Sequence, residues 1–222
     1  PLGDLEARLQ ARAPAQVKGL PRFWGGAVGY FGYDVVGLME TLPSTAERDL
    51  AIPEALVLFT RGVLAIDNLR GRAHPIQAVT VEPGMSREEL SARYREACEG
   101  VEETVARLAG PGTLEPLVLA KEPERDPPFE STFSREAFED AVERARAYIR
   151  AGDVFQVVLS QRLGIPLEAP PFHLYRALRT LNPSPYLYFL ELDGVTLVGS
   201  SPEVLVRVED ERVTVRPIAG AR

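Results

Sequence analysis

Asp193-Gly194 stands between two strand-like runs, residues 186–192 (YLYFLEL) and 195–199 (VTLVG). A two-residue Asp-Gly loop forms the tight turn whose twist matches an antiparallel hairpin. Strands joined so closely cannot be parallel, because a parallel pair needs a crossover of a dozen residues or more. Residues 204–208 and 212–217, around Glu209-Asp210-Glu211, repeat the pattern. Upstream, residues 55–60, 62–67 and 76–81 read as a meander of short strands, with Asn68 to Gly71 as one turn. Hairpins interspersed with helices predict an α+β fold, antiparallel β-sheets flanked by helices, rather than a doubly wound parallel sheet.

The helices are marked by caps and periodicity. Residues 1–22 read as a short helix and a loop, and Asp34 is placed to cap a second helix. Ser86, with Glu89 three residues on, opens a long helix by the capping-box pattern. Leu90, Tyr94, Ala97, Cys98, Val101, Val105 and Leu108 give it one apolar face, and Gly110-Pro111-Gly112 ends it. Ser134 caps the next helix, whose stripe is Phe138, Ala141, Val142, Ala145, Tyr148 and Ile149, with Gly152 as its stop. Residues 154–163 (VFQVVLSQRL) read as a strand, and Pro171 suits the first turn of a helix ending at 181. Five prolines with scattered charge mark 111–133 as a linker. This divides the chain into an N-terminal α+β portion at 1–110, the Pro-rich linker at 111–133, and a second domain at 134–222.

Composition excludes several roles. The 222 residues carry a net charge of −7, which argues against a nucleic-acid partner, since phosphate neutralisation needs clustered basic side chains. No apolar run reaches membrane-spanning length. The first residues have neither the basic nor the apolar region of a signal peptide. Cys98 is the single cysteine, so no intramolecular disulfide forms, in keeping with a reducing cytoplasm. On its apolar stripe it reads as a packed thiol rather than a nucleophile. His74 and His173 fall in separate elements, which disfavours a histidine metal site or triad. The absence of an initiator methionine fits a processed chain or an excised piece.

A few residues stand out as carriers of chemistry. Pro202 pushes Ser201 into an extended conformation and sets Glu203 at a rigid strand start. On that strand Glu203, Leu205 and Arg207 share a face. Beside Leu205 the carboxyl would be partly desolvated and its pKa raised toward general-acid use; the alternative is a surface glutamate paired with Arg207. Gln156 shares a face with Val158, Ser160 and Arg162 that either lines a cavity or meets water. Gly220 ends a strand and could let backbone N–H groups approach an anion. The four glycines within 23–33 (FWGGAVGYFGY) signal close backbone approach, by sheet packing or by ligand contact.

Five segments in order, 23–34 (FWGGAVGYFGYD), 154–162 (VFQVVLSQR), 182–190 (NPSPYLYFL), 199–207 (GSSPEVLVR) and 216–220 (RPIAG), resemble the chorismate-utilising enzymes, and among them the anthranilate synthase component I family. The resemblance implies addition of ammonia to C2 of chorismate, loss of the C4 hydroxyl and elimination of pyruvate, in tryptophan biosynthesis. It implies Mg²⁺ on the substrate carboxylate, a glutamine amidotransferase subunit (component II) as ammonia source, and feedback inhibition by tryptophan. Glu203 matches the acid that protonates the departing hydroxyl, and Gly220 a residue whose backbone contacts chorismate. Pro185, Tyr186 and Leu187 match the loop that touches bound tryptophan. Gln156 stands where the water-activating relatives carry lysine, and Ala219 where aminodeoxychorismate synthases carry a nucleophilic lysine, so both point to direct attack by ammonia. Ala221 replaces the family's threonine and lacks its hydroxyl for the substrate. The family's catalytic histidine, its Mg²⁺-binding glutamates and the other half of its tryptophan site find no match here. The expectation is therefore a partial catalytic domain, inactive alone, with no metal ligand of its own. The competing readings are another ammonia-using enzyme of the aminodeoxyisochorismate synthase type, and a non-catalytic tryptophan-sensing or subunit-binding module.

Overall fold

In a computed structural model the structure describes residues 2–12, 14–15, 17–43, 48–119 and 127–216. The chain forms two compact units, one of residues 1–115 with 192–195, the other of residues 116–191 with 196–222. The architecture is α+β, and the strands pair in twos.

The first unit holds helix α1 (Leu2–Gln10), strand β1 (Gly26–Phe31), a 3₁₀-helix (Tyr33–Leu38), strands β2 (Ala55–Thr60), β3 (Gly62–Asp67) and β4 (Arg72–Gln77), and helix α2 (Arg87–Ala109). β1 pairs antiparallel with β2, with Gly29 opposite Val57. A Cβ on Gly29 would strike the Leu56 carbonyl oxygen and lie 2.8 Å from the Val57 Cα. The glycine run therefore serves sheet packing, the first of the two readings made from sequence. The Tyr30 hydroxyl donates to the Pro53 carbonyl at 2.7 Å and clamps the strand end. Asp34 caps nothing: the turn after β1 is a 3₁₀-helix whose cap residue is Gly32, without a side-chain bond. It buries Val35, the only buried apolar side chain among the described residues.

The expected meander separates into two ladders, β1–β2 and β3–β4. Arg61 alone lies between β2 and β3, and one residue cannot close a hairpin that needs at least two. β4 ends at Gln77 rather than 81. Thr80 instead gives its carbonyl to Arg93 Nη1 of α2 at 2.7 Å. α2 begins with the full capping box: Ser86 Oγ accepts from the Glu89 N–H at 3.2 Å, and the Ser86 N–H donates to Glu89 Oε2 at 2.7 Å. That N–H holds the Glu89 carboxyl below the ordinary glutamate range. Gly100 lets α2 lie close to β4, since a Cβ there would come within 3.0 Å of Gln77 Nε2. Cys98 is half-buried, and its hydrogen bond raises the Tyr94 phenol above its usual value.

The second unit contains β5 (Glu130–Ser131), α3 (Arg135–Ala151), β6 (Leu163–Gly164), α4 (Pro171–Leu181), β9 (Val206–Glu209), β10 (Arg212–Val215) and all of β7 (Tyr186–Leu192) and β8 (Val195–Ser201) but the hairpin tip at 192–195. Ser134 Oγ accepts from the Ala137 N–H at 3.1 Å to start α3. Gly152, at φ 85°, stops it in the left-handed conformation. Phe172 and Tyr175 of α4 meet Phe189 of β7 with ring centroids 5.3 and 6.0 Å apart, which seats the helix on the hairpin. Asp193-Gly194 makes the β7–β8 turn, with Gly194 at φ 75°. β9 and β10 pair antiparallel from Arg212↔Glu209. Their turn, Asp210 at φ 47° and Glu211 at φ 64°, holds two non-glycine residues in the left-handed region.

The strand expected at 154–163 is absent. Only Leu163 and Gly164 pair, with Ser131 and Glu130. The contact fades at Arg162, whose carbonyl accepts from the Thr132 N–H at 3.1 Å; residues 154–160 have strand composition but join no ladder among the described residues, and a strand exists only as half of a ladder.

Candidate active site

Glu203 lies directly after β8, where the backbone turns at Ser201-Pro202. Ser201 Oγ donates to the Glu203 carbonyl at 3.0 Å and lies 3.5 Å from its N–H, so the turn is closed locally by a serine hydroxyl. The Glu203 side chain is half-buried. Its Oε1 is shut from solvent and has no hydrogen-bond partner among the described residues. Buried polar atoms are almost always paired, and among the described residues this is the one buried side-chain oxygen without a partner.

The surroundings differ from the sequence expectation in two ways. Leu205 is 88% exposed and β9 starts only at Val206, so Leu205 does not cover the carboxyl. Arg207 does not pair with Glu203. It reaches the Tyr186 hydroxyl at 3.5 Å and Glu209 Oε1 at 4.0 Å. The surface ion pair with Arg207, the plain alternative for Glu203, is thereby removed.

Beside this turn runs the loop 182–186. The Ser184 hydroxyl donates to the Ser201 carbonyl and accepts from the Tyr186 N–H at 3.1 Å. The Ser200 hydroxyl donates to the Asn182 carbonyl at 2.8 Å. Pro185 is exposed, and Tyr186 and Leu187 are half-buried. Alternation along β7 places Tyr186 with Tyr188 and Leu187 with Phe189. A ligand over one face of β7 can therefore use the Tyr186 or the Leu187 side chain, not both. The Tyr188 ring lies across Gly199, where a Cβ would be 2.6 Å from Tyr188 Cε1.

The structure brings Glu203 and the 185–187 segment to one hairpin end. Gln156 is exposed, in a stretch that joins no ladder, and the cavity-lining reading of its face finds no cavity wall there among the described residues. Gly220 and Ala221, with Ala219, lie outside the described residues. Ser184, Ser200 and Ser201 stood in the sequence only within the NPSP and SSP stretches, without a role for their hydroxyls. Their signal is legible in retrospect: NPSP and SSP place serine next to proline, where the hydroxyl satisfies backbone groups that proline leaves in a turn.

Among the described residues no three His, Cys, Asp or Glu side chains cluster as metal ligands. Mg²⁺ asks for near-octahedral oxygen ligation, and one glutamate oxygen at Glu203 does not supply it, so these residues do not form a Mg²⁺ site. No helix among the described residues is long and apolar enough to cross a membrane.

A carboxyl oxygen at the end of a proline-fixed turn, beside a hydroxyl-bonded loop, is the arrangement of a positioned proton donor or acceptor. The family model of chorismate binding enzymes matches residues 2–222, and the chain belongs to that family. It is 42% identical to the anthranilate synthase component 1 of Pseudomonas putida, over 100% of this chain and 44% of that protein. It is 47% identical to the protein of the same name from Thermus thermophilus, over 91% of this chain and 41% of the relative. The crystal structure of anthranilate synthase component I from Streptococcus pneumoniae TIGR4 superposes with a TM-score of 0.77 at 30% identity, over 95% of this chain and 46% of that one. The chain thus spans less than half the length of these relatives.

Proposed function

We propose that this chain supplies part of the catalytic machinery of an anthranilate synthase component I. In the reaction chorismate and ammonia become anthranilate, pyruvate and water. Ammonia attacks C2, the double bond shifts, and the C4 hydroxyl leaves. Hydroxide is a poor leaving group, so it departs as water only if a proton is delivered in the transition state. Glu203 delivers that proton. The observation that carries this reading is Glu203 Oε1 at the Ser201-Pro202 turn, shut from solvent with no hydrogen-bond partner among the described residues. The similarity to proteins of that name supports the chemistry.

Pyruvate is then lost with a ring proton to give the aromatic product. Gly220 contacts the substrate through its backbone, and Ala221 and Gln156 belong to the same substrate site, Ala221 without the threonine hydroxyl and Gln156 without a water-activating lysine. Mg²⁺ belongs to the reaction but is held by residues other than those described. Tryptophan binds at the Pro185–Tyr186–Leu187 loop as feedback inhibitor, and a glutamine amidotransferase supplies the ammonia in the cytoplasm. Residues 1–110 form a supporting portion and 134–222 the first part of the chorismate-binding domain, joined by 111–133.

The test is anthranilate fluorescence from chorismate, Mg²⁺ and ammonium, with the intact protein and its Glu203→Gln variant. The expected loss is about 10²- to 10⁴-fold in kcat. A variant within threefold of the parent would remove Glu203 from the mechanism. An aminated product that retains its enolpyruvyl group would assign the protein to the aminodeoxyisochorismate synthase type instead.

A further inference from the structure

The β9–β10 hairpin turns its apolar face outward. Register pairs Val206 with Val215 and Val208 with Val213. Paired residues share a face and side chains alternate along each strand, so these four valines form one face. Arg207, Glu209, Arg212 and Thr214 form the other. Arg207 and Thr214 are half-buried, and Arg207 reaches the Tyr186 hydroxyl of β7 at 3.5 Å. All four valines are more than half exposed. A two-stranded hairpin by itself is at best marginally stable in water, and an apolar sheet face is stable only when another layer covers it.

The exposed area decides between a second copy and further polypeptide as that layer. The chain has a mass of 24.4 kDa and an accessible surface of 19494 Å². Two folded units of about 12 kDa each would expose about 12,000 Å² together. Even a large obligate interface covers only about 2,500 Å² of each partner, so a second copy would leave most of the excess open. The relatives offer more. This chain spans 44% of one and 41% of another, and a folded protein of that full length, about 55 kDa, exposes about 18,000 Å² in all. That is less than this portion exposes alone, so the further polypeptide covers more surface than it adds.

We propose that the valine face of β9–β10 is an interaction surface, and that its occupant is an apolar layer of the polypeptide by which these relatives exceed this chain. β9 starts three residues after Glu203, so covering the face also fixes the strand that follows the Glu203 turn. The inference rests on family membership and on the exposed face, not on the role of Glu203.

The test is the reactivity of a thiol placed on the face, Val213→Cys, toward iodoacetamide, followed by peptide mass in the intact protein and in the 222-residue chain. In the 222-residue chain the thiol is expected to react within about threefold of a free cysteine. In the intact protein it is expected to react about 100-fold more slowly or less, at every protein concentration, because only local opening exposes it. Reaction in the intact protein at the free-cysteine rate would mean that the face meets water there, and the proposal is wrong. Protection that fades as the intact protein is diluted would give the face to a second copy, which overturns the proposal equally. Val208→Lys supplies a second reading. A lysine under an apolar layer loses its hydration without gaining a partner. The unfolding equilibrium constant in urea is therefore expected to rise about 100-fold in the intact protein and to stay within about twofold in the 222-residue chain. An unchanged constant in the intact protein sinks the idea.

Discussion

Residues 26–31 hold glycine at two of six positions and still form strand β1. Residues 154–162 hold no glycine, carry Val154, Phe155, Val157, Val158 and Leu159, and form no strand at all. Intrinsic preference ranks them the wrong way round. The difference is the neighbour. β1 has β2 in register along its whole length, and the missing side chain of Gly29 is what admits it. The 154–162 segment meets a neighbour only at its end, where Gln161 and Arg162 bond Ser131 and Thr132, and the side chains before that show it: Phe155 is 93% and Val158 81% exposed. Strand composition is a requirement for a partner, and where none is in reach the same composition leaves an open apolar segment.

The sharpest way to break the contrast is to deny β1 its neighbour. Gly29→Ala would drive a methyl into the β2 backbone at Leu56 and Val57, atoms that cannot swing aside as a side chain can. The expected loss is about 3 kcal/mol, the upper range for overpacking, read by urea unfolding. A loss below about 0.5 kcal/mol would show that the strands do not depend on that approach. Ala at Gly199 is a useful contrast. There the obstacle is the end of the Tyr188 ring, which is 43% exposed and free to move.

A smaller effect is expected at the β9–β10 turn, where pairing is present but the loop is poor. Asp210 and Glu211 both sit at positive φ, which any residue with a Cβ disfavours. Replacing the pair by Asn-Gly suits the observed dihedrals and should stabilise the hairpin by about 1 kcal/mol. Unchanged or lowered stability would mean that the turn is held by contacts of Asp210 or Glu211 that outweigh the strain.

How much of this was readable beforehand follows the same division. The caps at Ser86 and Ser134, the Gly152 stop and the Asp193-Gly194 turn are local devices. Each works within a few residues, and each stands where the sequence placed it. The Gly29 approach was legible only as a choice between sheet and ligand, because the pattern names the need and not the partner. The shift of β4, the split of the meander and the loss of the 154–163 strand all turn on which segments meet, which no local pattern encodes. At the candidate site, Glu203 was legible through Pro202. The departure of Leu205 and the turning of Arg207 to Tyr186 were not, since β9 begins later than the alternation implied. The bonds of the Ser184 and Ser200 hydroxyls were hidden for the same reason: a hydroxyl beside a proline announces a turn, but which carbonyl it takes is decided seventeen and eighteen residues away.

The smallest expected effect is also the most discriminating for the contrast itself. Val158→Lys places a charge in the most apolar stretch of 154–162. In a packed strand that change would cost several kcal/mol, because a buried ammonium must be desolvated without a partner. At a side chain already 81% exposed, the charge stays in water, and the expected change in the stability of this chain is under about 0.5 kcal/mol. Urea unfolding of the 222-residue chain measures it directly. A loss of 2 kcal/mol or more would mean that 154–162 is covered in solution, and β1 and this segment would then differ in the identity of their partners rather than in having one.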